Sequence, residues 1–167
     1  MTRASRSVER GFSLVELLIT LAIIGVLVSA SLPLFEVTAR RQKESDLRQA
    51  LRTIRNGLDA YKAAVDRGQL TKVAGESGYP PSLDKLTEVL TRADASDTSA
   101  SGVASRIVIL RRLPRDPFAD PTLPPEQTWN VRSYGSRADD PQPGNDVFDV
   151  SSKSTAMALD GSRYSTW

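Results

Sequence analysis

The sequence contains neither cysteine nor histidine, and these two absences remove several classes of function. Without cysteine, the chain can form no disulfide bond, no thiolate metal site and no thiol nucleophile. Without histidine, it lacks the commonest general base and the commonest transition-metal ligand, which excludes a Ser-His-Asp triad and a histidine-ligated zinc site. The composition therefore favours a structural or binding function, and we expect that the protein is not an enzyme.

The net charge is also small, since 22 basic residues nearly balance 20 acidic ones and leave a formal net charge of +2. The first eleven residues carry this whole excess, because they contain Arg3, Arg6 and Arg10 against Glu9. The remaining side chains are neutral in sum. The basic balance is thus a property of one end, and we expect no nucleic-acid partner.

Residues 12–35 form a long apolar run in which Glu16 is followed by no other charge. At a rise of ~1.5 Å per residue, a helix of this length can cross a hydrocarbon layer of ~30 Å. A carboxylate within such a layer costs ~2.5–3.5 kcal/mol. Three interpretations compete: a cleaved secretory signal ending near Val28-Ser29-Ala30, a plain membrane anchor, and a span in which Glu16 has a designated charge partner.

After this run the pattern becomes one-sided, which predicts an amphipathic helix. Its apolar face is predicted to contain Leu47, Leu51, Ile54, Leu58, Tyr61 and Val65. Its opposite, solvated face is predicted to carry Arg48, Arg52, Arg55, Asp59 and Lys62. We expect one long helix from about Ser13 to Asp66, with Gly68 as its C-terminal cap.

The downstream residues predict short elements joined by turns. Ser82 is expected to cap a short helix, and residues 93–105 are small, polar and typical of a loop. Segments rich in β-branched and aromatic residues predict strands at 106–113, 129–135 and 146–152. The sequence therefore predicts an α+β fold, in which a long N-terminal helix packs on a small antiparallel sheet.

The basic segment ending in Gly11, followed by "FSLVELL", resembles the class III signal of type IV pilins and type II secretion pseudopilins. The resemblance implies a pilin fold, cleavage after Gly11 by a prepilin peptidase, N-methylation of Phe12 and an assembly role for Glu16. It also implies three segments: a leader peptide at 1–11, a transmembrane and assembly half-helix at 12–35, and a periplasmic pseudopilin domain at 36–167.

The spacing of Phe12 and Glu16 fits that resemblance physically. Cleavage after Gly11 creates an α-amino group that is normally charged at neutral pH. Glu16 lies one helical turn further on, where it can meet the amine of its own chain or that of a staggered neighbour. Two charges that are each costly in an apolar bundle become tolerable as a pair, and their pairing fixes the axial register of the helices.

The later segments "GYPPSLDKL", "LRRLPRDPF" and "NDVFDVSS" resemble the major, G-type pseudopilin. This resemblance implies a single-pass inner-membrane protein with a periplasmic domain, polymerised into a pseudopilus that supports export across the outer membrane. The implied partners are further copies of the chain, other pseudopilins, the inner-membrane secretion platform and the membrane itself before assembly. The alternatives are a type IV or competence pilin in adhesion, twitching or DNA uptake, and an anchored binding domain that never assembles.

The same resemblance implies Ca²⁺ as a cofactor, because G-type pseudopilins bind calcium in a C-terminal loop. Asp160 matches a ligand position, and Asp149 is the second expected ligand. Calcium requires several oxygen ligands, and Lys153 stands about where the family has a further acid. The competing interpretation is that Asp160-Gly161 forms an ordinary turn and that the acids at 139–140 lie in a solvated loop.

Overall fold

The computed structural model describes residues 12–71, 76–91 and 106–167, without the side chains of residues 30–34 and 91. The predicted leader with Gly11 and the predicted loop at 93–105 lie outside the described residues. The chain divides into two compact units, Met1–Arg40 and Arg41–Trp167. The predicted boundary after residue 35 separates a membrane and assembly segment from a periplasmic domain, so it is a different division from these units and stays a prediction.

The long predicted helix is confirmed as helix α1, which comprises Leu14–Asp66. Within the first unit, the large apolar side chains that the structure describes are exposed. Within the second unit, the predicted apolar face is buried at Leu47, Leu51, Ile54, Leu58 and Val65, and Tyr61 is partly buried. The change from an apolar surface to one buried face follows the change of pattern in the sequence.

Helix α1 ends at a glycine, as its sequence predicts. Gly68 has a φ of +71°, a left-handed conformation in which a side chain would be strained. Its N–H donates to the carbonyl of Val65 at 2.9 Å, and the Gln69 N–H donates to the carbonyl of Ala64 at 2.9 Å. These bonds satisfy carbonyls that the end of a helix leaves without partners.

The antiparallel sheet is confirmed as two separate two-stranded pairs. Strands β1 (Leu90–Thr91) and β2 (Arg106–Ile107) pair with Leu90 opposite Ile107. Strands β3 (Trp129–Arg132) and β4 (Asp149–Ser152) pair with Trp129 opposite Ser152 and Arg132 opposite Asp149. All three predicted strands are therefore shorter than their sequence patterns.

The predicted strand at 106–113 ends at Ile107 because no extended strand lies opposite the residues that follow. In the register of β1 and β2, residues 108–111 would pair with residues 86–89. That segment instead continues from a 3₁₀ helix at Leu83–Leu86, and the Leu86 carbonyl accepts a single bond from the Leu110 N–H at 2.7 Å. A β-branched run without a partner strand cannot extend a sheet.

The 3₁₀ helix Leu83–Leu86 replaces the short helix expected after Ser82. Ser82 is confirmed as the N-cap residue with an extended backbone, although its side chain makes no capping hydrogen bond. Two further 3₁₀ helices comprise Pro125–Thr128 and Tyr164–Thr166. Such short helices are typical of connections, because their hydrogen-bond geometry is poor.

The main hydrophobic core joins helix α1 to the β3–β4 pair and to the C-terminal segment. The buried side chains of Leu47, Leu51, Ile54 and Leu58 pack in the same cluster as side chains from later elements, namely Leu83, Leu86, Leu113, Trp129, Val147, Val150 and Tyr164. Burial of such apolar side chains stabilises a fold by ~1.5–3 kcal/mol each. The core confirms the predicted α+β arrangement of a helix packed on an antiparallel sheet.

Candidate functional site

The predicted processing and assembly residues lie at the start of helix α1. Phe12 precedes the helix and is 82% exposed, while Glu16 lies in its first turn and is also exposed. The Leu17 N–H donates to the Ser13 carbonyl at 3.1 Å, so helical bonding already includes Ser13. Among the described residues, no hydrogen-bond or ion-pair partner of the Glu16 carboxylate is found. This carboxylate is thus available to a group outside the described chain.

The helix surface that follows Glu16 is strongly apolar. A shallow groove is lined by Ile19, Ala22, Ile23, Val26 and Leu27. Side chains of this size are exposed from Leu14 to Val28, and exposed apolar patches of this extent mark surfaces that contact other protein or lipid. Within the ranges that the structure describes, no helix combines the length and the apolar character needed to cross a membrane.

The predicted metal ligand Asp149 lies at the start of β4 between two arginines. The Arg55 Nε donates to its Oδ1 at 2.8 Å, and the Arg132 Nη2 donates to its Oδ2 at 3.3 Å. The Arg55 and Asp149 side chains are 40% and 29% exposed, so their attraction is only partly screened by solvent. Asp149 is therefore an ion-pair partner of helix α1 and of strand β3.

The second predicted ligand, Asp160, lies in an exposed turn. The hydroxyl and N–H of Ser162 donate to its Oδ1 at 2.6 and 2.9 Å, and the Arg48 Nη2 donates to its Oδ2 at 3.2 Å. The Ser162 hydroxyl, and after it the Ser162 N–H, hold the pKa of Asp160 below its ordinary value of 3.8. Gly161 has a φ of +84°, so the interpretation of Asp160-Gly161 as a turn is confirmed.

These surroundings do not fit a calcium site. Calcium takes six to eight oxygen ligands, whereas Asp149 and Asp160 each accept hydrogen bonds from a guanidinium. In the part of the chain that the structure describes, no group of three or more acidic side chains is arranged to hold a metal ion. The binding of Ca²⁺ by Asp149 and Asp160 stays a prediction from the resemblance.

Residues that the sequence pattern did not identify connect helix α1 to the C-terminal segment. Glu44 is only 6% exposed, and its Oε1 accepts bonds from the Tyr164 hydroxyl and the Leu159 N–H, both at 2.8 Å. Arg55 binds Asp149 and two main-chain carbonyls. The prediction that Arg48 and Arg55 lie on a solvated face is therefore wrong in part, because each binds a later segment of the chain.

A sequence signal for these contacts does exist. Glu44, Arg48 and Arg55 are spaced by four and seven residues, which places all three on one face of an α-helix. That face borders the apolar one, where long polar side chains can reach over the core edge to neighbouring segments. The spacing alone does not say which residues they contact, and the contacts span more than 90 positions of sequence.

Comparison with known proteins bears on the N-terminal segment and on part of the domain. Residues 6–32 match the family model of the prokaryotic N-terminal methylation motif. The chain is 30% identical over 96 residues to the type IV major pilin protein PilA of Myxococcus xanthus (strain DK1622).

That alignment covers 58% of this chain and 43% of the relative, so the chain spans less than half of the relative's length. No solved structure matches the chain significantly. The motif and the relative together support a type IV pilin-like protein that carries a prepilin-type methylation motif.

Proposed function

We propose that the chain is a structural subunit of an extracytoplasmic filament, stored in the inner membrane and processed by a prepilin peptidase. The observation that carries the proposal is the position of Glu16, in the first turn of a helix that exposes its large apolar side chains from Leu14 to Val28. The match of residues 6–32 to the methylation motif supports it. In this proposal the chain performs no catalysis, and the reaction between Gly11 and Phe12 is carried out on it by another enzyme.

The proposed assembly mechanism follows from the energetics of charge in an apolar bundle. After cleavage, the amine of Phe12 and the carboxylate of Glu16 are both costly to remove from water unless they are paired. Pairing between staggered copies removes that cost at one axial offset only. The apolar side chains around them then supply a non-directional attraction, while the charge pair selects the register.

The finer proposal is a subunit of a type II secretion pseudopilus, with its C-terminal domain in the periplasm. It is supported by the likeness of the segments around Tyr79, Pro114 and Phe148 to the G-type pseudopilin. The proposed partners are other copies of the chain, other pseudopilins and the inner-membrane secretion platform. A type IV or competence pilin is the second candidate, which is supported by the similarity to the Myxococcus xanthus major pilin.

Processing is tested by mass spectrometry of the N-terminal peptide, after expression of the full chain with and without a prepilin peptidase. With the peptidase, we expect the mature chain to begin at N-methylated Phe12, and without it the leader should remain. A chain that begins at Met1 in the presence of the peptidase, or at Ser31 in either case, would contradict the proposal.

Assembly is tested by replacing Glu16 with Ala or Gln and measuring the filaments that sediment from sheared cells. We expect both variants to be processed but to lose assembly, because an unpaired amine then opposes packing. Glu36→Ala is the matched control, since Glu36 is the next acid along the same helix and is also exposed. Assembly of the Glu16 variants at the level of the control would show that the carboxylate does not set the register.

The two finer candidates predict different losses in a strain that lacks the chain. A pseudopilin deletion should stop the release of secreted enzymes into the medium and leave surface pili intact. A pilin deletion should remove surface pili, twitching or DNA uptake and leave secretion unchanged. Complementation with the Glu16→Ala variant should fail in whichever assay the deletion affects.

A further inference from the structure

The guanidinium of Arg55 on helix α1 binds both ends of the C-terminal segment 149–167. Its Nε donates to Asp149 Oδ1 at 2.8 Å, and its Nη2 donates to the carbonyls of Val150 at 3.0 Å and Trp167 at 2.6 Å. One side chain thus joins the beginning of β4 to the last described residue. Charge-assisted bonds of this kind are roughly twice as strong as neutral ones.

Arg48, two helical turns before Arg55, binds the middle of the same segment. Its Nη2 donates to Asp160 Oδ2 at 3.2 Å, and its Cζ lies 4.2 Å from the centroid of the Trp167 ring. The Trp167 Nε1 in turn donates to the Ser162 hydroxyl at 2.6 Å. A guanidinium over an indole face is a favourable cation–π contact, so Arg48 holds both the turn and the aromatic ring.

We propose that Arg48 and Arg55 form an arginine clamp that fastens residues 149–167 to helix α1 without a metal ion. A disulfide cannot fasten this segment because the chain has no cysteine. Arginine suits the task, since its planar group presents five donors in a fixed arrangement and binds several acceptors at once. The clamp does not depend on the proposed filament function.

The charges around Asp149 oppose a calcium ion at this place. Two guanidiniums already lie within hydrogen-bond distance of its two oxygens. A divalent cation bound there would face both positive groups at short range, and like charges at such distances repel by several kcal/mol in a partly desolvated site. Calcium binding would require Arg55 to leave, and with it the bonds to Val150 and Trp167.

The first arm of the test measures urea unfolding of the detergent-purified full chain by tryptophan fluorescence. The clamp predicts the same unfolding midpoint in EDTA and in millimolar CaCl₂. A calcium-dependent rise of the midpoint that Asp149→Asn or Asp160→Asn abolishes would overturn the proposal and establish a metal site. The comparison between EDTA and CaCl₂ uses the unaltered protein, so it is informative whatever the stability of the variants, and the two aspartate variants only locate a calcium effect once one is seen.

The second arm compares arginine variants on the same helix. Arg55→Gln should lower the midpoint by about 1 M urea, because three acceptors lose a charged donor. Arg55→Lys should fail to restore it, since an ammonium cannot span the three acceptors. Arg52→Gln is the matched control, because Arg52 is exposed and has no hydrogen-bond or ion-pair partner among the described residues. Equal midpoints for Arg55→Gln and Arg52→Gln would exclude the clamp.

A third measurement locates the effect and remains usable if Arg55→Gln folds poorly. Arg48→Gln removes a more exposed contact, and it should change the emission of Trp167 and speed amide exchange in residues 156–167. The amide of Leu110, which donates to the Leu86 carbonyl outside the clamped segment, should keep its protection. Uniform acceleration across both regions, or none at all, would contradict a clamp that acts on the C-terminal segment.

Discussion

At the residue scale, Asp116 shows how a buried carboxylate organises a loop that contains several prolines. It is only 3% exposed, and its Oδ1 accepts the Phe118 N–H at 2.8 Å. Its Oδ2 accepts the hydroxyl of Ser152, a residue of β4 that is itself fully buried. Because an unsatisfied buried polar group costs ~1–3 kcal/mol, this carboxylate is an obligatory part of the core rather than a surface charge.

We predict that Asp116→Ala lowers the free energy of unfolding by about 2–4 kcal/mol, because the Phe118 N–H and the Ser152 hydroxyl both lose their acceptor. Urea denaturation followed by fluorescence measures the change. The control is Asp120→Ala, since Asp120 accepts the N–H and hydroxyl of Thr122 in a similar but exposed turn. Water can replace that carboxylate, so a loss below about 1 kcal/mol is expected. Equal losses for both variants would contradict the structural role of burial.

The pKa of Asp120 provides an independent check on the hydrogen bonds of the exposed turn at Thr122. The hydroxyl and N–H of Thr122 hold this pKa below the ordinary value of 3.8. The lowered pKa means that the bonds contribute fully above pH ~4 and are lost as the pH falls through the folded pKa. We predict that Thr122→Ala raises the Asp120 pKa in an NMR titration, while Ser136→Ala leaves it unchanged.

At the scale of elements, helix α1 is one continuous helix whose two parts differ in the side chains that they expose. Its part in the first unit exposes apolar side chains, while its part in the second unit buries one face in the main core. The sequence predicts this division because apolar residues on all sides give way to a spacing of three and four. The end of the helix is equally local, since it depends on the conformation of Gly68.

We predict that Gly68→Ala lowers the free energy of unfolding by about 1 kcal/mol, because an alanine side chain is strained at a φ of +71°. No atom lies within 4 Å of the added methyl group, so the effect would report conformation and not a clash. Gly135→Ala is the control, since Gly135 does not have a positive φ and its surroundings are also open. A loss for Gly135→Ala as large as that for Gly68→Ala would contradict the explanation.

At the scale of the whole molecule, the two compact units differ in what they bury. Every buried side chain of the described residues belongs to the unit Arg41–Trp167, where Glu44 is the earliest. The main core, the two strand pairs and the arginine clamp all lie within that unit. The buried core and the proposed assembly residues thus lie in different parts of the chain.

We predict that a fragment of residues 41–167 folds by itself, because it contains all of the buried side chains described. Its urea midpoint should lie within about 0.5 M of that of the full chain, a difference of roughly 1 kcal/mol or less. Circular dichroism and tryptophan fluorescence measure both. The Ile54→Ala variant of the fragment is the positive control, since a buried isoleucine truncated to alanine costs ~2–5 kcal/mol. If the urea midpoint of the unaltered fragment were as low as that of its Ile54→Ala variant, residues 41–167 would not contain the whole folding core.

The sequence by itself determined the features that depend on neighbouring residues. It specified helix α1 and its buried face through periodicity, the helix end through Gly68, and the pilin-like N-terminal pattern around Phe12 and Glu16. It also excluded disulfides and histidine chemistry, because those residues are absent. The pilin-like pattern follows from a resemblance to a known family, and each of the other conclusions follows from composition or from spacings within a few helical turns.

Only the tertiary structure decided what pairs across long distances in the chain. Strand β2 stops at Ile107 because the segment opposite, which follows the 3₁₀ helix Leu83–Leu86, is not an extended strand, and no property of residues 108–113 reveals that. The helical pattern predicts that Arg55 is solvated. In the structure it instead binds Asp149 and Trp167, which the fold brings beside it. A guanidinium satisfies whichever acceptors the packed chain brings within about 3 Å, and that proximity is set by the core and not by local sequence.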